Sequence, residues 1–459
     1  MCINFRLKSL LLLLAFTYAG QLSAQQYALY NTKTLFDAFE NPERKVYTQD
    51  TSRKFSFNFF FPNMGTNAIA AGNAEPILRR MIGEGVFSGT GVTIGKKNFN
   101  NLIINNNTYL AMLRVYHDVL RHSEFGFAWQ LRSDTYVRAS DETIAILDNY
   151  RLFTDPNYTD PFNNFAVSQN YHQFSFSYRE NYDKRLGVGF KLSYLSGIVY
   201  QKINVRQSSL FVNPQLRTYN LKMDGVYRSS FAFDGADSIV SASAVPGFTN
   251  PGAAVTVGAT YKLRYNWNIS GHLKDIGFIR WNNNSPKYSL KQTITVENAQ
   301  SKNASSRLGN KLDSAINESY KTESFIGLLN GKAEMLLTKT YEHYEPSLLL
   351  SKNTFFRGGD IGLIQQIKYG SWNLGVSTVY NTSKAFMAGG SLLYKTPGFE
   401  VFLGCDQVFK TYSMIRGAIN GDKEFGSGHV GASVYWGMAF NFGRVVEHPM
   451  NTNRIPGTY

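Results

Sequence analysis

Asn268, Ser270 and His272 alternate within Trp267-Asn268-Ile269-Ser270-Gly271-His272 and bring an amide, a hydroxyl and an imidazole to one side of the chain. Those are the parts of an activated nucleophile. In an extended chain, however, residues two apart stand roughly 6.5 to 7 Å apart along the backbone, and no oxyanion hole is evident beside them. They read better as ordinary polar residues of an inner wall, so no catalytic residue is assigned and a hydrolase is a remote alternative. Six cations, Arg132, Arg179, Lys191, Lys262, Arg264 and Lys274, fall on polar faces of alternating stretches, where they would line a lumen that favours anions. Positions in water at strand ends are the competing reading. Asp275-Ile276-Gly277 puts a carboxylate and a glycine inside a strand, which suggests a bulge or kink, with Asp275 pairing a cation or capping amides. The sharper reading makes Asp275 and Gly277 a gate in the wall. A helical stretch, Glu75 to Ile82, offers Pro76, Leu78, Arg79 and Arg80 as candidates for a plug, with an excursion onto the surface as its alternative. No Cys and His spacing resembles a metal site, and no cofactor is implied.

The elements that would position these groups are strands. From Val430 to Phe442, Val430, Ala432, Val434, Trp436, Met438, Phe440 and Phe442 fall on one face, with Gly431, Ser433, Gly437, Ala439 and Asn441 on the other. The same code recurs in Leu186 to Tyr194, Phe125 to Arg132, His172 to Arg179, Val255 to Arg264 and Phe55 to Phe61. Side chains of a strand alternate between faces, and an array of such runs, apolar outside and polar inside, is how a transmembrane barrel reads. A soluble sandwich would need a second sheet to cover the apolar side.

Arg6 and Lys8, an apolar run from Leu10 to Phe16, and Leu22-Ser23-Ala24 follow the order of a secretory signal, predicting cleavage after Ala24. The apolar run is too short for a spanning helix. Export plus barrel alternation places the chain in a Gram-negative outer membrane, among its lipid and lipopolysaccharide. Mean hydropathy of -0.25 is compatible with this, because a barrel confines its apolar residues to every second position. Cys2 leaves with the signal and Cys405 stands alone, so no intrachain disulfide forms. The net charge of +14 is spread along the chain without a Lys/Arg block, which argues for lumen or headgroup contacts and against nucleic acid.

The reading therefore divides the chain into a signal peptide (1–24), an N-terminal periplasmic or lumen segment (25–52), an all-β transmembrane antiparallel barrel of about 14 strands (53–443) and a tail (444–459). Candidate strands lie near 53–61, 107–117, 124–138, 170–181, 185–202, 215–231, 253–264, 266–281, 286–296, 345–353, 359–369, 371–381, 386–396, 398–408 and 428–443. Long connections at 139–169, 232–252 and 297–344 are read as surface loops, with helical insertions near 142–149 and 308–320. Short and long turns fail to alternate around 203–266, which marks a strand misassigned there or a long loop on the periplasmic side.

Asn41-Pro42 after the signal, the segment Leu273-Lys274-Asp275-Ile276-Gly277-Phe278-Ile279-Arg280-Trp281, and the closing Ala439-Phe440-Asn441-Phe442-Gly443 resemble uncharacterised outer-membrane barrels of Bacteroidota. These are similar to the FadL-like long-chain fatty-acid transporters and the PorV-like barrels of type IX secretion. The resemblance implies fourteen strands and an N-terminal segment in or under the lumen, and carries no catalytic residue across. It leaves two functions open: a channel or transporter for hydrophobic or anionic small molecules, or a scaffold or shuttle barrel for exported proteins, with type IX secretion or other protein partners.

Overall fold

The computed structural model describes residues 27–445 apart from 48, 85–86, 90, 149, 214, 232–244, 299–303, 318–319, 384 and 421–429. The signal peptide, Cys2 and nearly all of the C-terminal tail lie outside the described residues.

Fourteen antiparallel wall positions close on themselves. The first is a broken strand, β1 (Phe55–Phe57) and β2 (Asn63–Ala71), followed by β3 (Phe99–Tyr116) and β4 (Ser123–Ser140). A short β5 (Asn157–Thr159) precedes β6 (Phe165–Asn181) and β7 (Leu186–Asn213). The sixth position is split into β8 (Thr218–Ser229) and β9 (Pro251–Lys262), which pair with the upper and lower halves of β7. The seventh is β10 (Trp267–Trp281), continued upward by β11 (Pro286–Ser289) and β12 (Gln292–Val296) along β8. The eighth descends as β13 (Tyr320–Thr322), β14 (Phe325–Leu328) and β15 (Lys332–Lys339). The rest are β16 (Tyr344–Asn353), β17 (Gly359–Tyr369), β18 (Trp372–Asn381), β19 (Ala385–Lys395), β20 (Phe399–Cys405) and β21 (Gly431–Phe442). Pairing of Phe57 with Phe440 and of Ile69 with Gly431 completes the ring.

Among the described residues five α-helices accompany the strands: α1 (Leu35–Glu40), which precedes them, and α2 (Glu75–Glu84), α3 (Asp141–Asp148), α4 (Ala304–Asn317) and α5 (Val408–Asn420) between them. α3 and α4 occupy the long connections where helices are expected from the sequence.

The irregular turn alternation around 203–266 has a simple cause. The stretches 215–231 and 253–264 are two halves of one wall strand, and 286–296 is the extension of the seventh. β14 and β15 occupy part of what the sequence reads as the 297–344 loop, and β2 and the start of β3 lie between the candidate strands 53–61 and 107–117. With this assignment, one end of the barrel carries only short turns, such as 182–185, 263–266 and 370–371, together with Lys54 and Gly443. Short turns mark the periplasmic end of such barrels.

The outer surface is apolar: Leu192, Val257, Leu273, Met335, Leu363, Leu374, Leu392 and Val434 are all exposed. Near the periplasmic end Tyr261, Tyr265, Trp267, Tyr341, Tyr369 and Trp372 are exposed as well, the belt of aromatics that sits at headgroup level. At the opposite end β7, at 28 residues, far exceeds what a membrane needs. There Leu210, Val212, Tyr219, Leu221, Ile294 and Val296 form a separate core with Ile146 of α3 and Leu308 of α4.

Candidate functional site

The lumen is occupied by residues 27–47. Thr34 caps α1, its hydroxyl accepting the Asp37 amide N–H at 3.1 Å, and Asp37 in turn accepts from Asn41 Nδ2 (2.7 Å) and Arg44 Nη1 (3.1 Å). This compact turn brings Tyr27, Ala28, Leu29, Leu35, Phe36, Phe39 and Val46 to 4 % exposure or less against the inner wall.

The wall holds the segment largely by its backbone. Lys395 Nζ donates to the carbonyls of Thr32, Lys33 and Tyr47 (3.1, 2.9 and 3.2 Å). Gln366 and Ser391 both donate to Ala28 O (2.6 and 3.1 Å). Arg114, Arg121 and Arg179 donate to the carbonyls of Ala38, Val46 and Glu43 at 2.9, 2.9 and 3.1 Å. In the other direction, the amides of Leu35 and Tyr27 donate to Glu400 (2.7 Å) and Asp406 (3.1 Å). The wall is also shaped for its occupant. A Cβ at Gly189 would come within 2.2 Å of Pro42 O, and one at Gly258 within 2.4 Å of Glu43 Oε2.

A chain of buried charges crosses from segment to wall. His272 Nε2 lies 2.7 Å from Glu334 Oε2 and its Nδ1 lies 3.3 Å from Glu43 Oε1. Lys274 Nζ is 2.9 Å from the same Glu334 carboxylate and 3.2 Å from the Tyr30 hydroxyl, which itself donates to Glu334 at 2.8 Å. With a carboxylate at each ring nitrogen, the geometry suits an imidazolium, which donates from both. Burial pushes the Glu43 carboxyl up, but His272 and Arg44 outweigh it and hold it below the usual carboxylate range. Glu40 is likewise lowered: burial opposes ionisation, and Lys191, Lys274 and Arg132 overcome it.

The cations singled out from sequence divide. Arg132 and Lys191 pair with Asp275, Lys191 at 3.3 Å. Lys274 pairs with Glu334, and Arg179 reaches Glu43 O and stands 3.8 Å from Glu124. Lys262 and Arg264 are exposed at the periplasmic turn 263–266. They do not line the buried lumen, because Lys262 is the last residue of β9, paired with Asn268 at the rim, and Arg264 lies in the turn beyond it. Asp275 sits in the bulge expected there, with φ +47° and a register shift between Leu273 and Ile276. The bulge turns two consecutive residues inward, so Lys274 and Asp275 both serve the lumen. Beyond it, β10 pairs on both edges, Ile276 with Val255 and Phe278 with Leu328, and Gly277 packs on Ala253 and Ala254. The structure shows no opening at Asp275 or Gly277.

Pro76, Leu78, Arg79 and Arg80 lie on α2 at the extracellular mouth, where Glu75 accepts the Val430 amide at 3.1 Å. Pro76 and Arg80 are exposed. The body that fills the lumen at mid-height is residues 27–47, and α2 is a rim element. Ser270 contacts Thr260 (2.9 Å) and Asn268 contacts Thr340 (3.3 Å). Among the described hydrogen bonds none joins Ser270 to His272, whose two nitrogens face carboxylates instead. The residues missed from sequence are the acids Glu43, Glu334, Glu400 and Asp406. For the segment that carries Glu43 a signal exists in Thr34-x-x-Asp37 followed by Asn41-Pro42, a capped helix and tight turn too well specified for a mere linker.

Among the described residues, small cavities of about 50 and 40 Å³ adjoin the segment. The lower is polar, lined by Glu40, Asn106, Arg132, Asp134, Lys274 and Glu334. The upper mixes Ile69, Ile103, Tyr136, Phe356 and Met387 with Asn67, Lys332 and Arg357.

A family model described as a family of unknown function, DUF5723, matches residues 34–406. The chain belongs to the DUF5723 family. No curated protein matches it in sequence. This DUF5723 barrel is similar in shape to a deletion mutant of the TodX monoaromatic hydrocarbon channel, at 8 % identity and TM-score 0.43, covering 92 % of this chain and 97 % of that one. It is similar also to a FadL homologue from Pseudomonas aeruginosa (9 % identity, TM-score 0.41, 92 % and 97 % covered). A third likeness is the toluene transporter TodX of Pseudomonas putida (7 %, TM-score 0.38, 92 % and 93 % covered).

Proposed function

We propose that this outer-membrane barrel is a gated uptake channel for small apolar molecules, with residues 27–47 as its stopper. One observation carries the reading. The space directly above the stopper sets Ile69, Ile103, Tyr136, Phe356 and Met387 among a larger set of polar residues, including Asn67, Asn105, Asn353, Lys332, Arg357 and Asp360. Apolar and aromatic side chains set among polar groups offer a hydrophobic solute a surface on which to leave water, and Lys332 and Arg357, partly offset by Asp360, suit an anionic end. The stopper explains why such a channel would not leak ions: the cavities around it hold little more than a few water molecules.

Uptake of N-phenyl-1-naphthylamine, which fluoresces in apolar surroundings, tests this in a Gram-negative host whose lipopolysaccharide excludes the dye. Faster dye entry in cells bearing the protein is expected, and entry equal to that of cells without it would overturn the reading. Export by a signal cleaved after Ala24 belongs to the same reading. N-terminal sequencing of the membrane-extracted protein should begin at Gln25.

The separate core that β7, β8 and β12 build with α3 and α4 beyond the wall favours a second reading, a PorV-like anchor for exported proteins. Co-purification of exported proteins that persists when the stopper is mutated would support it.

A further inference from the structure

The periplasmic end of the barrel is charged unevenly. Three of its turns, 182–185, 263–266 and 340–343, lie side by side: the Lys262 amide donates to Arg185 O at 2.9 Å and the Thr340 amide to Asn266 O at 2.9 Å. With the strand ends beside them these turns carry five cations, Lys184, Arg185, Lys262, Arg264 and Lys339, the first four exposed and the last half-buried. Among the described residues no ion pair engages any of the five. Three acids stand in or beside the same turns, and each answers to another group. Asp183 Oδ1 accepts the amides of Arg185 and Leu186 (2.5 and 2.6 Å), Glu180 accepts the Tyr178 hydroxyl (3.0 Å) and Glu342 lies 3.8 Å from His343. By contrast Lys368 and Arg53, elsewhere on this end, are paired, with Glu345 at 2.6 Å and Asp50 at 2.9 Å.

The depth of the five cations follows from their neighbours. Tyr182 is 81 % exposed and Tyr265 84 %, with Leu263 and Trp267 exposed beside them. Side chains of this kind, bare to this degree, belong at headgroup level, and cations in the same turns stand among headgroups too. Lys339 has its Nζ 5.3 Å from the Trp267 ring centroid and 5.7 Å from that of Tyr341, and the same ammonium donates to Tyr265 O. Its stem runs along the aromatic belt and its charge sits at the depth of phosphates.

We propose that this arc is a binding site for anionic phospholipid of the inner leaflet, with Lys262, Arg264 and Lys339 on the phosphate and Trp267 against the start of the acyl chains. A choline or ethanolamine headgroup balances its own phosphate with a cation, whereas phosphatidylglycerol leaves the phosphate unbalanced, and five cations against three acids select the unbalanced one. Bound lipid holds the ends of β7, β9, β10 and β15, and the last three of these strands carry Gly258, His272 and Glu334 to the stopper. The inference does not depend on what the channel carries.

Mass spectrometry of the protein released from nanodiscs of phosphatidylglycerol and phosphatidylcholine in equal parts tests the site. The wild type should retain phosphatidylglycerol in preference. The K262A/R264A/K339A variant, checked for folding by heat-modifiable migration, should lose that preference by about fivefold for each cation removed. Retention without preference in the wild type, or a preference undiminished in the variant, overturns the site. Trp267 gives a second measurement that needs no charge variant. Phosphatidylglycerol brominated on its acyl chains should quench tryptophan fluorescence more than brominated phosphatidylcholine does, and the excess should vanish in W267F. Equal quenching by the two lipids, or an excess that survives W267F, overturns the site. So does sedimentation of the wild type, but not of the triple variant, with purified peptidoglycan in the absence of any lipid preference, which would assign the arc to an anionic polymer of the periplasm.

Discussion

His272 of the wall and Glu43 of the stopper meet at 3.3 Å with neither side chain exposed to solvent, and the far side of the same imidazole rests on Glu334. One ring thus joins the wall to the segment that the proposed channel would have to move. Replacing His272 by Ala leaves two carboxylates facing each other without the cation between them. Removing one partner of a buried ion pair costs about 3 to 5 kcal/mol, here charged mainly to the docked stopper. H272A should therefore show stepwise conductance in planar bilayers where the wild type is silent, with the barrel still folded by its heat-modifiable migration on gels.

Gly258 and Gly271 lie on neighbouring strands and differ in what they face. A Cβ at Gly258 would strike the Glu43 carboxylate, whereas one at Gly271 meets nothing closer than 3.9 Å. G258L should displace the stopper and expose residues 27–47 to added protease, while G271A should digest like the wild type.

Acid should release the stopper as well. The folded state holds the Glu43 carboxyl below its ordinary value of 4.5. The unfolded or undocked state therefore binds its proton first as pH falls. The stabilisation Glu43 gives is complete above that ordinary value and is lost as pH drops through the lowered one. Conductance should stay silent from neutral pH down to the carboxylate range and appear only below it. E43Q should abolish this dependence or shift it to whatever other groups remain.

Asp275 holds Arg132 and Lys191 together and accepts from Gln173 at 3.0 Å. D275N leaves two buried cations short of their counter-charge, and by the same argument should cost about 3 to 5 kcal/mol. A lower urea midpoint for unfolding checks it. K262A and R264A, exposed at the periplasmic turn, should leave the midpoint unchanged.

The architecture was legible in the alternation of the outward residues, because lipid sets a uniform demand on every strand. Val434, Trp436, Met438 and Phe440 betray β21 for that reason. The inner face obeys no such rule where the stopper lies against it. Leu336, Leu349, Ile364 and Val379 point inward yet are apolar, since they pack with Tyr27 and Tyr30. β15, with Leu336 on one face and Met335 on the other, consequently loses its alternation and reads as loop. β2 fails for a different reason: Thr66, Ala68 and Ala70 stand on its outward face, beside Val434 and Ala432, and side chains so small leave no oily stripe to find. The site was half legible. Lys191, Arg132 and Lys274 could be placed inside by parity, but their acidic partners could not be matched across strands, because register between distant strands is not written in either one.

The order in which the chain emerges gives the stopper a further consequence. Residues 27–47 precede every wall strand, yet Leu35 binds Glu400 and Tyr27 binds Asp406, 365 and 379 residues later. Lys395 grips Thr32 and Lys33 across similar distances. This early segment of the chain thus waits for the last strands before its contacts can form, and β21 then pairs with β1 and β2 around it. Biogenesis and the proposed gating would share one set of bonds: a substitution that loosens the stopper removes a template on which the ring is shut, so leaky variants should also be slow to assemble.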